Sequence, residues 1–275
     1  TNVTFPESAA ARLAAATAAS LRSARHIGLR KLPIFRPGLY RRSWRDLSAV
    51  FQAEAIAQQD PFDIIHCQFA PLAEPVFKLI DGGLLSGKVI AHLRGYDISE
   101  VVHALGPEVY DYLWPRADHI LAVCHHFKDR AANLGSRSEK ISIARSGLDL
   151  SSFPYCAPLP LGPGPVRVIG SGRLTARKGF HTLIKTLPML EKAVIDATLS
   201  LIGDGEEKQG LIDLANTLGV EGRLHLLGAM SHAQIAQELG QHHIFVGPSE
   251  VSPAGGMDGP LNTLKEAMAV GVPVC

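Results

Sequence analysis

Short apolar runs recur along this chain, separated by longer stretches in which apolar residues return every three or four positions. Asp63-Ile64-Ile65-His66, Val89-Ile90-Ala91-His92-Leu93 and His119-Ile120-Leu121-Ala122-Val123 have the dense hydrophobicity of parallel strands covered on both faces. The amphipathic segments between them predict helices, and the Ala-rich stretch from Glu7 to about Leu29 is helical by propensity. The pattern breaks between Leu150 and Val166, an uncharged stretch whose prolines (154, 158, 160, 163 and 165) exclude a membrane helix and mark a linker. It restarts with the strand Val166-Arg167-Val168-Ile169-Gly170. A helix is expected from about Gly179 to Leu190, then the strand Ala197-Thr198-Leu199-Ser200-Leu201-Ile202 and a helix from Glu206 to Leu218. The strand Leu224-His225-Leu226-Leu227, a helix near Ser231 to Leu239 and the strand Ile244-Phe245-Val246 follow.

Strands alternating with helices predict an α/β protein with parallel sheets. The boundaries expected are an N-terminal Rossmann-like domain over 1–153 that lacks its first strand, the Pro-rich linker 154–165, and a C-terminal Rossmann-like domain over 166–275. Two such halves place a ligand in a central cleft, outside the carboxyl ends of their strands. The chain has no initiator Met and stops just after Val272-Pro273-Val274, which looks like the start of a buried strand, so it reads as a fragment cut at both ends.

Composition narrows the function classes. A hydrophobic fraction of 46%, 19% charged residues and a formal charge of +1 are ordinary for a globular enzyme and give no global case for nucleic-acid binding. The four cysteines (Cys67, Cys124, Cys156, Cys275) form no CxxC pair, which favours a reducing, cytoplasmic setting over a disulfide scaffold or zinc ribbon. No two aspartates have DxD spacing and HExxH is absent, so neither a metal site nor another cofactor is expected. The pairs His125-His126 and His242-His243 face apart on a helix or strand, a poor metal geometry.

The densest chemistry lies between Asp258 and Val274. Pro260 suits the first position of a helix, and Gly271 with Pro273 suits its end. A helix N-terminus offers free N–H groups to a phosphate, with Asp258 just outside it and Glu266 about two turns in. Carboxylates so placed accept hydrogen bonds from sugar or ribose hydroxyls; by spacing alone they equally fit a capped core helix. Gly172-Arg173-Leu174-Thr175-Ala176-Arg177-Lys178-Gly179 follows the first strand of the second half, bringing cations to a strand-to-helix turn. Gly203-Asp204-Gly205 follows the next strand and Gly228 the one after. Glycines there let a flat or charged ligand approach the backbone.

These residues resemble the motifs of the retaining glycosyltransferases of family four, which have the GT-B fold. The "GRLxxxKG" pattern, whose Arg and Lys grip the donor diphosphate, matches Arg173 and Lys178. The family's paired acids match Asp258, implied to hold the transferred sugar, and Glu266, implied to hold the ribose. Ser146-Gly147-Leu148-Asp149 with Phe153 resembles "NGxDxxxF", Leu201-Ile202-Gly203-Asp204-Gly205 resembles the "GxG" loop, and Pro248-Ser249 resembles the "PS" before the donor pocket. Arg94-Gly95-Tyr96-Asp97-Ile98-Ser99 and Met257-Asp258-Gly259-Pro260 are nearest in flavour to the exopolysaccharide (colanic-acid-type) transferases.

The resemblance implies a donor site of Gly172, Arg173, Lys178, Gly203, Gly205, Gly228, Ser249, Asp258, Gly259, Pro260, Leu261 and Glu266. It also implies an acceptor side with His66, Arg94 and Asp97, and catalytic roles for Arg173, Lys178, Asp258, Glu266, His92 and Arg94. The expected activity is metal-independent hexosyl transfer from a nucleotide sugar to a glycan or lipid-linked acceptor, with retention and no covalent enzyme intermediate, in polysaccharide biosynthesis. Asp258 stands where the family usually has Glu, Ser146 where it often has Asn, and Arg94 where it has the His of an "HG" pair. His92, two positions before Arg94 on the same strand face, is either a substitute for that His or a core residue.

One segment falls outside these motifs. No acidic residue lies between Ser8 and Arg45, a span that holds Arg12, Arg22, Arg25, Arg30, Lys31, Arg36, Arg41, Arg42 and Arg45 with Phe35, Tyr40 and Trp44 among them. Such a segment fits peripheral contact with an anionic membrane on the cytoplasmic face, or a solvated basic surface. Three other functions share the residue pattern: a sugar phosphorylase, a nucleotide-sugar epimerase and a non-catalytic nucleotide-sugar-binding protein. A dinucleotide oxidoreductase does not, because Thr175 and Lys208 stand where the third glycine of the fingerprint belongs.

Overall fold

A computed structural model of the chain describes residues 9–27, 33, 37–40, 48–57 and 61–275. Of the basic segment, only the side chains of Arg12, Arg22 and Arg25 fall among the described residues; Arg30, Lys31, Arg36, Arg41, Arg42, Arg45 and the aromatic side chains between them lie outside. Internal packing divides the chain into two compact units. The first comprises Thr1–Asp97, Glu108–Ala122 and Lys128–Ile143; the second comprises Ile98–Pro107, Val123–Phe127 and Ala144–Cys275.

The first unit opens with helices α1 (Ala9–Ile27), α2 (Pro37–Tyr40) and α3 (Ser48–Ala57). Ala16 and Ala19 of α1 pack on Val50 and Phe51 of α3, and Arg22 pairs with Glu54 across the same helices. Its sheet is fully parallel, in the order β1 (Ile64–Cys67), β2 (Lys88–Leu93), β3 (His119–Ala122), β4 (Ile141–Ile143). Helix α4 (Ala73–Asp81) supplies the crossover from β1 to β2. Ala91, Leu93, Ile120 and Ala122 are fully buried, as expected for strands covered on both faces. Strand β4 has no counterpart in the sequence reading; three residues with Ser142 at the centre carry too little apolar pattern to register. Two further helices follow in the chain, α5 (Glu100–Leu105) and α6 (His125–Asn133).

The second unit contains β5 (Val166–Ser171), β6 (Ala197–Ile202), β7 (Leu224–Gly228) and β8 (Ile244–Phe245). Its helices are α7 (Phe180–Lys192), α8 (Lys208–Leu218), α9 (His232–Leu239) and α10 (Asn262–Val270). Consecutive strand residues point to opposite faces, which explains its two-sided core. Val168, Leu199 and Leu201 meet Leu183, Ile184 and Leu187 of α7 and Leu211 and Ala215 of α8. On the other face Ile169, Ile202 and Phe245 meet Leu239 of α9 and Ala267 and Val270 of α10. Side chains of this size contribute about 1.5–3 kcal/mol each when fully buried.

The parallel order β7-β6-β5-β8 has a consequence for function. Chain connections leave β5 toward one side and reach β8 on the other, which opens a crevice at the carboxyl ends of β5 and β8. Beyond β8, Val274 forms a parallel bridge with Phe245, so the expected strand at Val272–Val274 is a single bridge. Residues 154–165 carry no helix or strand. One expected boundary is corrected. The last helix begins at Asn262 with Leu261 as its N-cap, so Pro260 lies outside the helix, not at its first position.

Candidate functional site

The crevice at the ends of β5 and β8 is built by two loops. After β5 the chain passes Gly172 and Arg173 and makes a 3-10 turn over Ala176–Lys178 before entering α7. Gly179, between turn and helix, is left-handed (φ 65°), and a Cβ there would overlap the Pro248 carbonyl oxygen. This close approach brings the loop after β8 beside Lys178. Lys178 Nζ lies 2.8 Å from Asp258 Oδ2, which also accepts a 2.8 Å hydrogen bond from Ser249 Oγ. Arg177 Nε makes an ion pair with the other oxygen, Oδ1, at 3.0 Å, without the alignment of a hydrogen bond. The Lys178 and Asp258 side chains are only 18% and 15% exposed, so this pair is shielded from full solvent screening. Beside them Ser249, Asp258, Gly259, Pro260, Leu261 and Leu264 line a cavity of about 390 Å³, which also touches Glu250 and Met257. That volume is within the usual range of small-molecule sites.

The fold therefore brings together Lys178, Ser249 and Asp258 and lines one cavity with Gly259, Pro260 and Leu261. Arg173, on the same loop as Lys178, is exposed and makes no ion pair among the described residues. Gly172 has a local role: a Cβ there would come within 3.3 Å of the Lys178 stem. The sequence reading missed Arg177 because it occupies a variable position of the "GRLxxxKG" pattern; its adjacency to Lys178 was the only available signal.

Gly203 and Gly205 have a packing reason to be glycine: a Cβ at Gly203 would overlap the Gly172 carbonyl oxygen, and one at Gly205 the Leu174 carbonyl oxygen. Gly172 N donates to Ile202 O (3.0 Å), Gly203 N to Gly228 O (2.8 Å) and Leu174 N to Asp204 O (2.9 Å). These glycines lace neighbouring strand-end loops together and fix the loop that carries Arg173 and Lys178. At Gly228 (φ 73°) a Cβ would meet nothing within 4 Å, so the space in front of it is open.

Glu266 sits on α10 with its residue surface 7% exposed. Burial pushes its carboxyl up from the ordinary value, against the opposing pull of His232 and Lys265. Lys265 anchors the helix from outside, donating from Nζ to Ser146 O at 2.8 Å. Neither α7 nor α10 has a side-chain cap at its N-terminus, whereas α9 carries a full capping box from Ser231 and Gln234. An uncapped N-terminus keeps N–H groups available to an anion.

In the first unit, His66 on β1 and His92 on β2 stack with ring centroids 5.5 Å apart. Gln68 links outward from this pair: its Nε2 is 3.3 Å from His66 Nδ1, and its Oε1 accepts from Arg94 Nη1 at 2.8 Å. The Arg94 guanidinium also lies over the Phe69 ring. His92 is buried and His66, on the edge strand, is exposed, so the pair runs from the core to the edge of the sheet. Asp97 is corrected from an acceptor contact to an internal brace. It is fully buried; Oδ1 accepts from Arg94 N (3.0 Å) and Gly95 N (2.9 Å), and Oδ2 from Ala70 N (3.2 Å).

Both members of the His242-His243 pair are engaged in structural hydrogen bonds. His242 Nδ1 pairs with Glu238 O at 2.9 Å and Nε2 with Ser200 Oγ at 3.0 Å, while His243 Nδ1 accepts from Arg167 N. No helix among the described residues is long and apolar enough to cross a membrane.

Comparison with known proteins agrees with this architecture. Residues 10–152 match the family described as Glycosyltransferase Family 4, and residues 158–275 match Glycosyl transferases group 1. The chain is 29% identical over 254 residues to the putative colanic acid biosynthesis glycosyltransferase WcaL of Salmonella typhimurium, covering 86% of this chain and 62% of that protein. It is 28% identical over 222 residues to the amylovoran biosynthesis glycosyltransferase AmsK of Erwinia amylovora, covering 79% and 54%. The chain thus spans little more than half the length of these relatives. Among solved structures, Anabaena Alr3699/HepE, in complex with UDP and glucose, superposes with a TM-score of 0.63 at 19% identity, covering 84% of this chain and 61% of the other. Sucrose-phosphate synthase from Thermosynechococcus elongatus gives 0.67 at 17% identity, covering 84% and 59%. At these identities the structural likeness establishes the fold, which is GT-B.

Proposed function

This chain belongs to glycosyltransferase family 4, and on that premise we propose that it transfers a sugar from a nucleoside-diphosphate donor to a glycan or lipid-linked acceptor in exopolysaccharide biosynthesis. The observation that carries this reading is the convergence of Lys178, Ser249 and Asp258 at the β5/β8 crevice, beside a cavity of donor size. Lys178 and Arg173 are assigned to the diphosphate, together with the uncapped N-termini of α7 and α10. Glu266 is assigned to the ribose and Asp258 to the transferred sugar. His66, His92 and Arg94 form the acceptor side.

The chemistry asked of these groups is electrostatic. The bond between the anomeric carbon and the phosphate oxygen breaks, and its electron pair stays with the diphosphate. Fixed cations and N–H groups stabilise that growing charge without reorganising, and no metal is assigned a part. The acceptor hydroxyl oxygen bonds to the same face of the sugar, giving retention, and its proton passes to the departing phosphate oxygen. Asp258, one methylene shorter than the family's usual Glu, reaches less far toward the sugar. A hexose donor fits the family likeness. Contact between the basic segment and an anionic membrane surface, on the cytoplasmic side, belongs to the same proposal. Arg12, Arg22 and Arg25 of α1 are its described part, with Leu13 and Leu21 exposed on that helix.

The test is product analysis with a panel of UDP- and GDP-linked hexoses and a lipid-linked acceptor. A transferred sugar with the donor's anomeric configuration is expected, abolished by Lys178→Ala and Glu266→Ala. Phosphate-dependent cleavage would instead identify a phosphorylase, and a rearranged donor an epimerase. Sedimentation with phosphatidylserine vesicles at low salt tests the membrane contact; no co-sedimentation removes that part alone.

A further inference from the structure

Arg177 contacts Glu100, Glu250 and Asp258, three residues remote from it in the chain. Its carbonyl accepts from Glu250 N at 2.9 Å, fixing the start of the loop after β8. Its Nε faces Asp258 Oδ1 at 3.0 Å, and its Nη1 lies 3.9 Å from Glu100 Oε2 at the start of α5. The segment Ile98–Pro107 belongs to the second unit, and Ser99 Oγ accepts from Met257 N at 3.0 Å, one residue before Asp258. Asp258 is thus approached by two cations with a division of labour between its oxygens. Oδ2 takes Lys178 and Ser249, whereas Oδ1 takes Arg177 as its one ion-pair partner among the described residues.

A diphosphate carries more charge than one carboxylate and competes for Lys178. Once Lys178 swings to the phosphate, Asp258 would keep Ser249 on Oδ2 and Arg177 on Oδ1. Two anchors on different oxygens fix both the position and the plane of a carboxylate; one hydroxyl leaves it free to rotate. We propose that Arg177 is a positioning residue, which keeps Asp258 oriented toward the sugar while Lys178 exchanges from carboxylate to phosphate. The proposal rests on the assignment of Lys178 to the diphosphate and Asp258 to the sugar. It adds that Arg177 is not itself a phosphate ligand: Lys178 can leave Oδ2 because Ser249 still donates to that oxygen, whereas Arg177 is the cation paired with Oδ1 and also lies 3.9 Å from Glu100.

The experiment compares affinities for a nucleotide sugar and for its nucleoside diphosphate in the same proteins. The probe is whichever of UDP-glucose, UDP-galactose, UDP-N-acetylglucosamine and GDP-mannose binds the unmodified chain most tightly. Arg177→Gln is expected to leave nucleoside-diphosphate affinity within about twofold and to lower nucleotide-sugar affinity by roughly fivefold, the effect of one ion pair. Asp258→Asn is expected to show the same selective loss, and the double variant no further loss, because both remove one interaction. Arg177→Lys, which keeps a cation, is expected to recover part of the affinity and serves if Arg177→Gln does not fold. Equal loss of diphosphate and nucleotide sugar in Arg177→Gln would make Arg177 a phosphate ligand and overturn the proposal while sparing the donor assignment. Additive losses in the double variant, or no loss in Arg177→Gln, would also overturn it. A Lys178→Ala variant that binds the diphosphate normally would remove the donor assignment itself.

Discussion

Replacing Gly203 by Ala tests whether the strand-end glycines serve the loop lattice or a ligand. At Gly203 the backbone has φ 137°, and an added Cβ would overlap the carbonyl oxygen of Gly172, an atom of the main chain that cannot rotate aside. Placing an L-residue at such a φ costs about 1–2 kcal/mol, and forcing a methyl into filled space costs about 1–3 kcal/mol. Together they give roughly 3 kcal/mol, or about 6–12 °C in Tm for a unit of this size. Two other glycines separate the terms. Gly219 (φ 65°) has nothing within 4 Å of its Cβ direction, so Gly219→Ala reports strain alone, about 1 kcal/mol. Gly222, with open space and no positive φ, is expected to change by at most about 0.5 kcal/mol, or to gain slightly. Urea unfolding of the three variants is expected to give losses in the order Gly203 far above Gly219, and Gly219 above Gly222. Because Gly172 shares the displaced contact and precedes Arg173, donor binding should fall with stability in Gly203→Ala. A stable Gly203→Ala protein, within 1 kcal/mol of the unmodified chain by the same scale, would refute the packing argument.

Further outcomes concern strain and titration. Val194 is β-branched, 94% exposed and left-handed (φ 61°) just past the end of α7, so Val194→Gly is expected to stabilise by about 1 kcal/mol in urea unfolding. Burial holds the His242 imidazole below its ordinary pKa, so the unfolded chain binds the extra proton first. Stability is therefore full above about pH 6.5 and declines as the pH falls from there toward the folded-state value, which unfolding midpoints at pH 7.5 and 5.5 would reveal. Ser200→Ala strips the partner from Nε2 of that ring and is expected to cost about 1–2 kcal/mol at pH 7.5. Glu266 has the opposite sign: its carboxyl is raised, so its favourable contribution is present at low pH and lost as the pH rises through the folded-state value. Glu266→Gln should thus be more stable than the unmodified chain at pH 8 while binding nucleotide sugars roughly tenfold less well.

The α/β alternation was legible because buried parallel strands write themselves as continuous apolar runs. Ala197–Ile202 was read to the residue, and Val166, His119 and Leu224 mark strand starts as read. Strand β4 was not, since a three-residue edge strand owes its existence to pairing with β3, where Ile141 lies opposite Ile120. Pro260 misled for a related reason. Proline suits a first helical turn, but here Leu261 remains extended and the helix waits for Asn262. For the site, Lys178 and Ser249, far apart in the chain, both meet Asp258 Oδ2, a contact that their shared motif assignment anticipates without giving its geometry. The role of Arg177 was illegible, because it depends on Glu100 and Asp258 both arriving at its side chain. The glycines were identified as special, but sequence alone does not distinguish a space left for a ligand from one filled by another loop.

Titration calorimetry of a nucleotide-sugar panel against the unmodified chain and Lys178→Ala addresses the donor site most directly. One UDP- or GDP-linked hexose is expected to bind the unmodified chain, with affinity roughly tenfold or more weaker in Lys178→Ala, as for loss of a charged contact to phosphate. No binding by any member of the panel, or equal binding by both proteins, would contradict a donor site at the β5/β8 crevice.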